Sequence, residues 1–169
     1  MSSYSEGKTE IVDFLKRNFS SGATCLDVGA CDGKWNGLLG DYFTMDAVEA
    51  FKPNVIKNDL INKYRNIYVG DITTYRYDWY DVIIFGDVIE HLTVDHAQEV
   101  LKYACSHSWE VIIGVPMCYS QGKIYGNPYE VHIQDDLTER IFKKRYPGFI
   151  PLIKPKRDYV YYHKREEFK

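Results

Sequence analysis

Cys25-Leu26-Asp27-Val28-Gly29-Ala30-Cys31-Asp32-Gly33-Lys34-Trp35 reads as the end of a buried strand, a tight glycine turn and the first turn of a helix. Gly29 and Gly33 carry no Cβ and take positive φ freely, so a ligand can come close to the backbone. A loop that feeds a helix N-terminus is a common seat for a small molecule. The charge of this loop narrows the choice. A pyrophosphate-binding loop follows Gly-x-Gly-x-x-Gly and would need glycine at 31 and 34. Cys31 and Lys34 stand there instead, and Asp27 and Asp32 flank the turn. Those carboxylates repel phosphate and suit a ligand carrying positive charge, such as an ammonium or a sulfonium.

Outward from this stretch, strand and helix alternate. Before it, Ile11, Val12, Phe14, Leu15 and Phe19 recur at helical spacing, which predicts a helix over 9–19 ended by Ser20-Ser21-Gly22. The strand itself spans 23–28 and the helix after the turn 33–41. A second strand follows over 43–50, then a helix that starts at Pro53 and runs to about Tyr64. A short strand over 67–69 closes on Gly70-Asp71. Tyr80 to Phe85 is almost continuously apolar, as in a central parallel strand covered on both faces. The next helix carries Val94, Ala97, Val100, Leu101 and Ala104 on one side, with Thr93 as its N-cap. A strand over 109–115 stops at Pro116, a long loop covers 117–134, and a helix covers 135–146. Strands over 149–153 and 159–163, joined by Lys154-Pro-Lys-Arg-Asp158, form a closing hairpin. The whole is a single α/β domain over 1–169: a Rossmann-like, open, mostly parallel seven-stranded sheet with helices on both faces and an antiparallel C-terminal hairpin strand.

Composition agrees with one soluble domain. The chain has 169 residues, 45% apolar and 27% charged, with no run of about 18 apolar residues that would span a membrane. The first residues hold neither a basic nor an apolar leader segment, so a cytoplasmic protein is expected. Cys25, Cys31, Cys105 and Cys118 show no C-x-x-C pair, which favours free, mostly buried thiols over a disulfide or zinc framework. The net charge of −3 is unevenly spread: residues 140–169 hold ten Lys/Arg against three acids. That end is either a solvated basic tail or a surface that steers an acidic substrate.

In open α/β sheets, ligands bind beyond the carboxyl ends of the strands. Three of the first four strands end on a carboxylate: Glu49, Gly70-Asp71 and Gly86-Asp87 follow the second, third and fourth. Glu49 lies 22 residues after Asp27, the distance at which an acidic residue accepts both hydroxyls of a ribose. Asp71 is placed to accept from an adenine amino group, with Ile72 against the ring. Taken singly, Glu49 is equally a solvated strand end and Asp71 an Asx turn. Their joint placement at successive strand tips argues for a nucleoside ligand.

With these residues in hand, the chain resembles a class I S-adenosylmethionine-dependent methyltransferase over essentially its full length. Asp27-Val-Gly-Ala-Cys-Asp-Gly33 matches that family's glycine motif, Glu49 its second acidic motif and Gly70-Asp71-Ile72 its adenine motif. Phe85-Gly-Asp-Val-Ile-Glu-His-Leu92 resembles the segment after strand four in the subgroup that includes ubiquinone-biosynthesis O-methyltransferases. Cys31 departs from the family's frequent middle glycine and reads as tuning. The resemblance implies S-adenosylmethionine as cofactor and S-adenosylhomocysteine as product, held by Asp27, Gly29, Ala30, Cys31, Asp32, Gly33, Glu49, Ala50, Phe51, Gly70, Asp71, Ile72, Asp87 and Val88. It implies a small-molecule or sugar acceptor methylated at oxygen, with acceptor-side structure drawn from residues 1–20 and the 117–134 loop.

Methyl transfer is an in-line displacement at a sulfonium carbon, so positioning and exclusion of water do most of the work. A neutral acceptor also calls for a base. His91, one turn into the helix after strand four, His132 in the 117–134 loop, and Asp87 are the catalytic candidates; His91 is also readable as a helix histidine packed near the cofactor, and His132 as a loop hydrogen-bonding residue. Asp87, Glu90 and His91 form a D-x-x-E-H group that could hold a divalent cation, as the matching segment does in some ubiquinone-pathway relatives. The same spacing is ordinary for helix neighbours, and no metal is expected. Base-methylating enzymes carry Asn/Asp-Pro-Pro-Tyr/Phe after strand four, where this chain has Gly86-Asp87-Val88-Ile89. Asn127-Pro128-Tyr129 lies in the wrong loop, so nucleic acid is not the favoured acceptor, although the basic tail leaves RNA or a nucleotide-linked substrate open. The other alternative is a module that binds the cofactor without turnover, or only with a partner. Homo-oligomerisation is left open.

Overall fold

The computed structural model describes residues 6–124, 126–154 and 158–165. Seven strands form one sheet: β1 (Thr24–Val28), β2 (Thr44–Glu49), β3 (Asn66–Val69), β4 (Tyr80–Gly86), β5 (Ser108–Pro116), β6 (Ile150–Ile153) and β7 (Tyr159–Arg165), in the order β3-β2-β1-β4-β5-β7-β6. All neighbours pair in parallel except β7, which runs antiparallel to β5 and β6. The chain winds outward from β1 through β2 to β3, then returns to place β4 on the other side of β1. That reversal opens a crevice above the carboxyl ends of β1 and β4, where the glycine turn lies.

Both faces of the sheet are covered, which explains the unbroken apolar run of β4. Ile83 and Phe85 point into one core with Val111 and Ile113, under helix α4 (Val94–Ser106) and Phe142 of α5 (Glu139–Arg145). Val82 and Ile84 point into the other, with Ile112, Ile11 and Leu15 of α1 (Lys8–Asn18), and Trp35 and Leu39 of α2 (Lys34–Leu39). The alternation is the period-two geometry of a strand. Thr93 caps α4 by accepting from the His96 N–H at 3.2 Å.

Three predicted helices end differently. The helix expected over 53–64 is α3 (Lys52–Lys57) only; Asp59 turns left-handed at φ 52 and a short 3-10 turn, Leu60–Asn62, follows. The one expected over 135–146 begins at Glu139, because Thr138 caps it by accepting from the Ile141 N–H, while Asp136 pairs with Arg145 at 2.6 Å. His91 is not inside a long helix. Ile89–His91 is a separate 3-10 turn, and extended Leu92 and Thr93 break it from α4. None of the four cysteines is in a disulfide, but only Cys25 and Cys105 are buried; Cys118 is exposed. Among the described residues no helix is long and apolar enough to cross a membrane. The predicted turn at 155–157 and the chain ends at 1–5 and 166–169 lie outside the described residues.

Candidate active site

The crevice above β1 and β4 is a cleft whose walls come from four strand tips and one loop. Gly29, Ala30, Cys31 and Asp32 form its floor, at φ values of 75° for Gly29 and 48° for Cys31. A Cβ on Gly29 would come within 2.7 Å of Val88 Cγ2, so only glycine lets the turn and the end of β4 meet. Among the described residues five carboxylates line the cleft (Asp32, Glu49, Asp71, Asp87 and Glu130) against one lysine, Lys34. Such a lining favours a cationic guest over a phosphate.

Glu49 is the best fixed of these. It is buried at the tip of β2, and its carboxylate accepts from the Cys31 N–H at 2.7 Å and the Phe51 N–H at 2.8 Å. Burial nevertheless raises its pKa, with those donors pulling the other way. The side chain thus ties the glycine turn to the start of α3 while still lining the cleft. Asp71 accepts from the Thr73 N–H at 2.9 Å, an Asx turn that leaves Ile72 on the cleft wall.

Asp27, Gly33 and Phe51 do not line the cleft. Asp27 sits below the turn, fully buried, and accepts from the Tyr64 hydroxyl at 2.5 Å. Burial pushes its pKa up to about 7, against the hydrogen bond and the nearby Lys8. Gly33, at φ 77, is the left-handed residue that starts α2, and Phe51 contributes its N–H to Glu49. These three shape the wall rather than face a guest. The remaining predicted cofactor residues, Gly29, Ala30, Cys31, Asp32, Glu49, Ala50, Gly70, Asp71, Ile72, Asp87 and Val88, all stand on it.

The acceptor end is built by contacts over long sequence distance. The Ile133 and Gln134 N–H groups donate to the Glu90 carbonyl at 2.8 and 3.0 Å. Gln134, buried, donates to the Ile89 and Leu92 carbonyls and accepts from the Tyr146 hydroxyl at 2.7 Å. The loop is thereby clamped to the 3-10 turn after β4, and His132 is brought to 4.7 Å from His91 between ring centres. Inside the loop, Glu130 accepts from Gln121 and Asn127, so the segment is held by its own side chains. Gln121, Asn127, Tyr129 and Glu130 face the cleft here. Asn127 and Tyr129 enter the sequence reading only as a segment in the wrong loop for base methylation, and Gln121 and Glu130 not at all.

His91 Nδ1 lies 3.1 Å from the Val131 carbonyl, and His132 Nδ1 lies 2.7 Å from that of Tyr119. A carbonyl can only accept, so both rings carry a proton on Nδ1, and Nε2 is the atom that a neutral tautomer would offer as a base. Burial lowers the His91 pKa to about 4, so the ring is neutral near pH 7. Beside it, the Glu90 carboxyl is buried with no hydrogen-bond partner among the described residues, and burial holds its pKa well above the usual range. Glu90, His91 and His132 each offer one ligand atom within 4.8 Å of the others, so these three could hold a metal ion. Chemically, the cleft can seat a cationic nucleoside, present a neutral imidazole to an acceptor and close that acceptor under a polar loop.

No protein-family profile and no curated protein matches the sequence. Solved structures do match in fold. An S-adenosylmethionine-dependent methyltransferase from Clostridium acetobutylicum superposes with a TM-score of 0.73 at 12% identity, covering 97% of this chain and 92% of that one. The N-terminal domain of EvdMO1, solved in the presence of S-adenosylhomocysteine and D-fucose, gives 0.67 at 12% identity, covering 98% and 85%. The N-methyltransferase NodS from Bradyrhizobium japonicum gives 0.64 at 10% identity, covering 94% and 97%. The chain has the Rossmann-like fold of S-adenosylmethionine-dependent methyltransferases.

Proposed function

We propose that the protein is an S-adenosylmethionine-dependent methyltransferase that methylates an oxygen of a small-molecule or sugar acceptor. The observation that carries this reading is the acidic cleft at the sheet's switch point, with buried Glu49 fixed by the Cys31 and Phe51 N–H groups. Glu49 would take the ribose hydroxyls, Asp71 and Ile72 the adenine, and Gly29 to Asp32 with Asp87 and Val88 the sulfonium and amino-acid end. The acceptor would enter beneath the 117–134 loop. His91 or His132 would take its proton through Nε2 as the methyl group moves in line from sulfur to oxygen, with Asp87 lining the same cleft. A sugar fits the loop's hydrogen-bonding set, Gln121, Asn127 and Glu130, next to half-exposed Tyr119 and Tyr129. The fold is shared with proteins of several acceptors, one of them solved in the presence of D-fucose.

Thermal unfolding with S-adenosylmethionine, S-adenosylhomocysteine or NADH tests the reading. A ligand at about 100 times its dissociation constant adds roughly 2.7 kcal/mol. A raised midpoint with the first two alone is the expected result; a shift with NADH alone would overturn it.

A second reading of the acceptor end is favoured by Glu90, His91 and His132. Two imidazoles that each turn Nδ1–H to a backbone carbonyl, with the buried Glu90 carboxyl within 4.8 Å, match the way protein ligands are braced around a divalent cation. Such an ion would acidify the acceptor hydroxyl in place of a base. Calorimetric titration with Zn²⁺ or Mn²⁺, compared with His132→Ala, separates the two readings: binding lost in the variant supports the ion, and no binding by either protein leaves the imidazole base.

A further inference from the structure

Among the described residues Lys8 is the one buried cation, and its ammonium has no hydrogen-bond partner there. It opens α1 and is 2% exposed, and its Nζ lies 3.9 Å above the centre of the Trp35 ring with no hydrogen-bond partner. The charges that act on it are Asp87, Asp27 and Asp32, which attract, and Lys34, which repels. Trp35, Asp87, Asp32 and Lys34 all line the cleft, and the ammonium stands directly behind that wall, against the Trp35 ring. Burying a charge without a partner is costly, and an apolar side chain would fill the same space without the penalty.

We propose that the Lys8 ammonium receives the carboxylate of the cofactor's amino-acid end; this rests on the cofactor reading above. The strand order sets the direction. Asp71 and Glu49 lie beyond β3 and β2, on one side of β1, and Asp87 lies beyond β4 on the other. A nucleoside seated on Glu49 and Asp71 therefore extends its amino-acid end across β1 toward Asp87, Trp35 and Lys8. That end carries one positive and one negative group. Asp87 suits the ammonium and Lys8, reached past Trp35, the carboxylate, so each charge of the ligand has an opposite charge at that end. Lys8 also makes α1, otherwise a covering helix, part of the binding site.

The test is calorimetric binding of S-adenosylhomocysteine, decarboxylated S-adenosylmethionine and 5′-methylthioadenosine to the wild-type protein, Lys8→Met and Lys8→Arg. A charge-assisted contact predicts that Lys8→Met loses about 10- to 100-fold in affinity for S-adenosylhomocysteine. It predicts no loss for the two ligands that lack the carboxylate, and partial recovery in Lys8→Arg. Equal losses for all three ligands, or an unchanged affinity for S-adenosylhomocysteine in Lys8→Met, would overturn the assignment while leaving the cofactor reading intact. If the wild type binds none of the three, the cofactor reading fails and the assignment falls with it. Circular dichroism of each variant establishes that the fold is retained.

Discussion

Replacing Lys8 with methionine should stabilise the ligand-free protein. Burial lowers the Lys8 pKa from its ordinary 10.5 to about 8, against the attraction of Asp87 and Asp27. Between pH 8 and 10.5 the unfolded chain holds this proton and the folded chain does not, so wild-type stability rises with pH across that window. Below pH 8 both states hold it and the full penalty is present. At about 1.4 kcal/mol per pH unit, the interval makes a cost of roughly 3 kcal/mol at neutral pH. Methionine has nearly the same length, keeps contact with the Trp35 ring and carries no charge. For a chain of this size the gain corresponds to a thermal midpoint roughly 6–12 °C higher. Urea unfolding of the two proteins at pH 6, 7, 8, 9 and 10 measures it. The variant should lead by about 3 kcal/mol up to pH 8, and the lead should shrink at pH 9 and 10. A variant that is less stable at pH 7, or a lead that does not change with pH, would refute the reasoning and make the ammonium–indole contact a net source of stability. A stabilising change that weakens the cofactor is what a residue kept for binding should produce.

Glu49→Gln keeps one acceptor oxygen but turns an amide group toward one of two backbone N–H groups, so S-adenosylhomocysteine affinity should fall at least about 10-fold while stability falls by about 1–3 kcal/mol; unchanged binding by calorimetry would remove Glu49 from the site. Gln134→Ala strips the buried donor from the Ile89 and Leu92 carbonyls and the acceptor from Tyr146. It should cost about 2–3 kcal/mol and speed hydrogen exchange across 117–134; an unaltered exchange pattern would mean that the backbone bonds to Glu90 suffice to hold the loop. The His91 ring proton resonances should titrate near pH 4, in line with burial, and a midpoint near 6.5 by NMR would mean that the ring is solvated.

What was legible in the sequence was local or periodic. The glycine turn, the apolar run of Tyr80 to Phe85, the Thr93 cap and the acids at successive strand ends are patterns within a few residues, and strand-and-helix alternation converts them into a sheet with its site at the carboxyl edge. Eleven of the residues named for the cofactor line the cleft for that reason. The helix ends at Lys57 and Glu139 were not legible, because Asp59 takes a left-handed turn and Asp136 is drawn to Arg145. Nor could spacing show that Asp27 belongs to Tyr64, or that Asp27, Gly33 and Phe51 brace the wall from behind. The pairing of His91 with His132, 41 positions apart, depends on a loop clamped through the Glu90 carbonyl and Gln134. Lys8 in a polar N-terminal stretch looks like a solvated charge, and only the packing of α1 on Trp35 buries it. Sequence determined the sheet and the place of the cleft, because backbone geometry and apolar period are short-range. Tertiary structure decided which side chains meet across that cleft and what burial does to their charges, because both depend on neighbours that the chain brings together from far apart.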